Sequence, residues 1–126
     1  MKANIKSFED LDVYKKLCEL HLKISEVSLK FPKFELYELG SQIRRSSNSI
    51  PANIAEGWNN KHTNIYLESI NRAQGELQET KHHLYIAYRK KYLSEEIYRE
   101  YFEKCNECGR MLRGLEQSLL KWKSKT

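Results

Sequence analysis

Apolar side chains recur along this chain at steps of three and four. Val13, Leu17, Leu20, Ile24, Val27 and Phe31 make the first such stripe, the spacing of one face of an α-helix. Leu36, Leu39, Ile43, Ser46, Ile50, Asn53 and Gly57 continue at the same spacing. A third stripe runs through Tyr66, Ile70, Ala73, Leu77, Thr80, Leu84 and Ala87. A fourth joins Tyr98, Tyr101, Cys105, Cys108, Leu112, Leu115, Leu119 and Trp122. No stretch alternates as a strand would. The pattern predicts helices over about 10–31, 35–58, 62–91 and 94–122. Asp10 or Asp12 is expected to cap the first, and Pro32 to end it, because the residue before a proline is pushed out of the helical region. Gly57, Asn59 and Asn60 mark the end of the second, and Ser94 is the N-cap of the fourth. Connections this short make consecutive helices antiparallel neighbours. The expectation is therefore one all-α domain, residues 1–126, folded as an antiparallel up-down four-helix bundle.

One stretch strains that reading. "RRSSNSIPANIAEGW", Arg44 to Trp58, places serines, asparagines and a proline inside the second helix. Pro51 lacks a donor and clashes with the carbonyl of Ser47. Apolar residues nevertheless continue on both sides, at Ile43, Ile50 and Ile54. The helix is expected to persist, kinked at Pro51, with the serines bonding back to the preceding turn. The rival is a true break, with Ser49 capping a new helix. Asn53 falls on the core stripe, where its amide could bond the carbonyls freed near Pro51 or fix helix register.

The first helix carries a second apolar stripe. Leu11, Cys18, Leu22, Ser25 and Leu29 repeat in heptad steps, nearly opposite the core stripe at about 100° per residue. A helix apolar on both faces is usually covered on both. Leu11, Cys18, Leu22 and Leu29 are thus the expected oligomer interface, with Phe102 and Met111 able to extend it.

Composition narrows the function. Hydrophobic residues make up 40% and charged residues 31% of 126, with two prolines and five glycines, which favours long helices. Net charge is +5, compatible with a polyanionic partner. The N-terminus has no apolar signal region, and no run approaches the roughly 18 apolar residues of a membrane span. Three cysteines, an odd number without a signal peptide, suggest reduced thiols and a cytoplasmic protein. Cys105 and Cys108 fall on a core stripe, where cysteine behaves as a small hydrophobe. Cys18 and His21 lie one turn apart but face away from them, so no metal site and no cofactor are expected. His82 and His83 diverge by about 100° and are expected to be solvated. No nucleophile, histidine and acid occur together in a catalytic pattern, and no inward carboxylates pair at Glu-x-x-His spacing. The chain does not read as an enzyme. Glu56 could pair with Arg72. The basic residues carry the functional expectation: Arg44 and Arg45 beside Pro51, then Arg72, Arg89, Lys90 and Lys91. Tyr85, Tyr88 and Tyr92 are interleaved and able to stack on bases. Arg110 and Arg113 share a face of the fourth helix, and Lys121, Lys123 and Lys125 form a basic tail.

"FEDLDVYKKL" at 8–17, "FPKFELYELGSQIRRSSNSIPANIAEGW" at 31–58 and "NRAQGELQETKHHLYIA" at 71–87 resemble the 23S rRNA intervening-sequence protein family, also called four-helix bundle proteins. The central signature is matched at Gln42, Arg44, Arg45, Ser49, Ile50, Pro51, Asn53, Ile54, Ala55, Glu56 and Gly57. Of these, Ser49, Pro51, Asn53, Glu56 and Gly57 are read as its structural part. The resemblance implies a cytoplasmic bacterial bundle that forms a ring-shaped homo-oligomer, a pentamer where known. Such proteins are often encoded within insertions in ribosomal RNA genes. The related accessory proteins of diversity-generating retroelements form similar basic barrels that engage nucleic acid and a reverse transcriptase. The expected function is non-enzymatic, sequence-tolerant binding of RNA or DNA through Arg44, Arg45, Arg72, Arg89, Lys90 and Lys91. The alternative is a ring-shaped scaffold that recruits a protein partner such as a reverse transcriptase, with nucleic acid incidental.

Overall fold

A computed structural model describes residues 4–125. It contains four helices: α1 (Asp12–Ser28), α2 (Leu39–Gly57), α3 (Thr63–Arg89) and α4 (Glu95–Ser124). Single 3-10 turns lie at Phe8–Asp10 and Lys33–Glu35. No strand occurs among the described residues. Consecutive helices pack together, and α1 closes against α4. Ser46 meets Thr80 and Gly57 meets Ser69, so position climbs on α2 as it falls on α3. Such descending register is antiparallel packing.

The stripes become the core. Leu17, Ile24, Ile43, Ile50, Ile54, Ile70, Leu84, Cys105, Cys108 and Leu112 are fully enclosed, one contiguous cluster drawn from all four helices. Each buried aliphatic side chain contributes roughly 1.5–3 kcal/mol relative to exposure. Two hydroxyls join this interior and satisfy each other, Ser46 Oγ lying 2.8 Å from Thr80 Oγ1.

The ends of α1 and the start of α2 depart from the expected ones, while the end of α2 and both ends of α3 and α4 fall within two residues of them. Asp10 does not cap α1. Its carboxylate accepts the backbone N–H groups of Lys6 (2.8 Å) and Ser7 (3.1 Å), while Ser7 Oγ accepts from Glu9. Together they form a capping box on the 3-10 turn before the helix. Helix α1 stops at Ser28, short of Pro32, and α2 begins at Leu39 rather than near residue 35. Between the two helices Glu35 turns inward and is 2% exposed. Its carboxylate accepts from Lys90 Nζ (2.7 Å) and the Tyr92 hydroxyl (2.9 Å). A separate turn at Lys33–Glu35 delivers it there. Ser94 caps α4 as expected, accepting from the Ile97 N–H at 3.1 Å.

Helix α2 runs without a break through Pro51. Ser49 is no cap, since its hydroxyl donates to the Arg45 carbonyl at 2.9 Å. Ser47 similarly donates to Arg44 O at 3.2 Å. Asn53 is half-buried, and its amide donates to Ser49 O at 2.7 Å. It therefore reinforces its own turn and leaves Ser47 O, the carbonyl whose usual donor Pro51 lacks. Gly57 is required by packing rather than by a terminating turn. A Cβ there would lie 2.0 Å from Ser69 Oγ and 2.3 Å from Ser69 Cβ. The left-handed residue after α2 is Asn59, at φ 53°.

Candidate nucleic-acid interface

The six basic residues singled out by sequence separate into two groups. Arg44 and Lys90 are committed to the fold. The Arg44 guanidinium donates to Ser28 Oγ at 2.8 Å and to the Leu36 carbonyl at 2.7 Å, strapping α2 to the end of α1 and to the connection between them. Lys90 is taken by Glu35. That contact holds the Glu35 carboxyl below its ordinary range, with the Tyr92 hydroxyl assisting, and raises Lys90.

The other four lie on the surface. Arg45 borders a cleft of about 510 Å³ between α2 and α3, shared with Gln42, Ser49, Glu76, Glu79, His82 and His83. Arg72 is exposed and pairs with Glu68 at 3.4 Å, so the expected Glu56 partner is replaced by one on its own helix. Arg89 donates to the Tyr85 hydroxyl at 2.7 Å and lies over its ring at 5.7 Å. Lys91 is exposed at a left-handed φ of 68°, with no ion-pair partner within 4 Å among the described residues.

The tyrosines are largely occupied. Tyr88 stacks on Tyr98, with centroids 4.5 Å apart and planes 9° apart. Tyr92 packs on Phe31 and bonds Glu35. Tyr85 alone of the three is exposed.

Sequence reasoning missed a groove between α3 and α4. One wall is Gln74, Gln78 and Lys81, the other Asn106, Arg110 and Arg113, and the floor is Leu77, Cys105 and Gly109. Its volume is about 260 Å³. No carboxylate lines it. At its rim Arg110 donates to Glu103 at 3.3 Å and Gln74 to Glu116 at 3.4 Å. Lys81 lies over the Phe102 ring at 4.8 Å. The shared face of Arg110 and Arg113 was readable from spacing. The wall opposite them follows only from how the helices pack.

On the outward face of α1, Leu22 and Leu29 are 65% and 63% exposed. Leu11 and Cys18 are half-buried, and Leu11 packs against the core. Phe34 and Tyr37, in the connection to α2, add exposed apolar surface at 71% and 84%. Met111 packs inward against the core instead of extending this face.

The remaining candidate chemistry is interior. Burial pushes the Cys105 thiol up to about 12 and the Cys108 thiol to about 11, so both are neutral thiols in the core. His83 is buried, not solvated as its neighbour His82 is. Desolvation lowers its pKa while Glu79, 3.4 Å away, opposes the shift. His21 Nδ1 lies 2.8 Å from Ser47 Oγ, but Ser47 is 1% exposed and out of reach of a substrate. No group of three potential metal ligands occurs among the described residues, and no helix there is long and apolar enough to cross a membrane.

These features define an all-α four-helix bundle whose polar chemistry lies on its surface and in the grooves between helices. Residues 9–114 match the 23S rRNA-intervening sequence protein family, and the chain belongs to that family. Among solved structures it is similar to a protein of unknown function from the S23 ribosomal protein family of Bacteroides thetaiotaomicron VPI-5482. The two are 27% identical with a TM-score of 0.72, over 82% of this chain and 97% of the other. No curated protein matches the chain.

Proposed function

We propose that this protein is a non-enzymatic, self-associating bundle of the bacterial cytoplasm that binds RNA or DNA through phosphates, with little sequence preference. The observation that carries this is uncompensated basic surface. Lys91 and Arg113 are exposed without an ion-pair partner among the described residues, while Arg45 is exposed beside Glu76 and Glu79, on a chain of net charge +5. Arg72 and Arg89 add charge whose local contacts are weak at the surface. Arg44 and Lys90 hold the fold instead. In a ring, for which a pentamer is the family precedent, each modest patch repeats about the axis and the fields add.

Fluorescence anisotropy with single-stranded RNA and duplex DNA tests the reading. Binding is expected at about 50 mM salt and should weaken steeply by about 200 mM. The log–log slope should be about −0.7 to −0.9 per neutralised phosphate. Absence of binding at about 50 mM would overturn it. Exposed Phe34 and Tyr37 favour a second reading, a scaffold for a protein partner, which would then take its place.

A further inference from the structure

We infer that the groove between α3 and α4 is the phosphodiester site, and that it takes single-stranded nucleic acid. This rests on the nucleic-acid reading above. Gln74, Gln78 and Lys81 follow one another at four- and three-residue steps along α3, and Asn106, Arg110 and Arg113 do so along α4. Seven residues of helix rise about 10 Å, room for about two consecutive phosphates of an extended strand. Three cations line this length without a carboxylate among the lining residues, the nearest being Glu103 and Glu116 at the rim, where Glu103 pairs with Arg110 at 3.3 Å in an exposed contact that is weak at the surface. Two of them are arginines, whose planar forks match phosphate oxygens. Three amides share the walls with the cations and supply both donors and acceptors, which suit sugar hydroxyls and the exposed base edges of an unpaired strand.

The floor is shaped for close approach. A Cβ at Gly109 would come within 3.3 Å of Leu77 Cδ2, so the missing side chain leaves the depth open. At about 260 Å³ the groove lies just below the usual range for small-molecule pockets, roughly 300–1,000 Å³. That size suits a strand's backbone. Competing clefts are less suited. Glu76 and Glu79 line the one holding Arg45. Glu19 and Glu107 line the one between α1 and α4, beside Lys16, Lys23 and Lys104. In both, carboxylates repel phosphate.

The test compares the assembled wild type with the triple variant Lys81→Ala, Arg110→Ala, Arg113→Ala on a 20-nucleotide RNA strand, the DNA strand of the same sequence, and its duplex. Circular dichroism confirms folding. The triple variant is expected to lose about tenfold or more in affinity at 50 mM salt. Its log–log slope should shrink by about 1.4, from roughly 0.7 for each of two lost phosphate contacts. Arg89→Ala with Lys91→Ala should lose less. Should the triple variant fail to fold, Asn106→Glu places a carboxylate in the groove without removing a cation and should weaken binding likewise. RNA binding tighter than DNA would assign the amides to the 2′-hydroxyl, and equal binding would assign the site to phosphate alone, both within the proposal. If wild type binds but the groove variants match it in affinity and slope, the groove is wrong and nucleic-acid binding stands. Duplex binding as tight as the single strand also overturns the groove. Failure of the wild type to bind any of the three overturns both.

Discussion

Arg44 sits in the most basic part of the signature, yet both of its nitrogen contacts point into the molecule, to Ser28 Oγ and Leu36 O. Lysine has one ammonium where arginine has a fork, and so reaches only one of these acceptors. Arg44→Lys is expected to destabilise by about 1–2 kcal/mol in urea denaturation, while leaving affinity for nucleic acid unchanged. A large affinity loss with intact stability would return Arg44 to the binding surface. The paired arginines were legible in the sequence as chemistry. Their division of labour was not, because Ser28 ends the preceding helix and Leu36 lies in a connection whose path spacing alone does not give. Asn53 and Gly57 were legible as unusual residues for a helix core. Their reasons, a bond to Ser49 O and a contact with Ser69, required the neighbours to be in place.

The stripes were legible at the scale of the element because burial follows periodicity directly. So were the ends of α3 and α4, but the ends flanking the α1–α2 connection were not. That connection is held by partners distant in sequence, above all Glu35, which meets Lys90 across 55 positions. That pin joins the α1–α2 connection to the end of α3, and it titrates. Glu35 is held below its ordinary 4.5, so the native state resists its protonation. The stabilisation is full above about 4.5 and lost as pH falls through the lower native value. Half-buried His21 and buried His83 act in the same direction in a higher window. Desolvation lowers both below 6.5. The unfolded chain therefore takes up protons first, and stability declines as pH drops below about 6.5. Unfolding free energy measured from pH 8 to pH 3 should fall in two stages. His83→Gln should make the first shallower, leaving the part due to His21, and Glu35→Gln should make the second shallower. A wild-type profile level between pH 7.5 and 5.5 would contradict the histidine assignment.

For the whole molecule, the grooves were the least legible feature, since each needs two helices to exist. The outward face of α1 was readable, though only Leu22 and Leu29 of its four expected residues stand well clear of the surface. Light scattering is expected to report an oligomer at micromolar concentration, and Leu22→Glu with Leu29→Glu to reduce it to monomers. Cys18 gives an independent reading. Covered by a second copy it should alkylate slowly in the wild type and faster in the double variant. Core Cys105 and Cys108, raised to about 12 and about 11, should stay unmodified until the chain unfolds. A wild type that remains strictly monomeric would sink the assembly.

The close approach of Gly57 to Ser69 has a consequence in time as well as in space. The two residues are 12 positions apart, on either side of the turn between α2 and α3. Contacts this local close at small entropic cost and tend to form early. The α2–α3 hairpin is therefore the expected nucleus of folding. Gly57→Ala forces a Cβ into the Ser69 side chain and should cost about 1–3 kcal/mol as overpacking, partly recovered by Ser69→Gly. In a chevron plot that loss should appear mainly as slower refolding, with the unfolding limb little changed. An unchanged refolding rate with faster unfolding would place the hairpin late on the pathway.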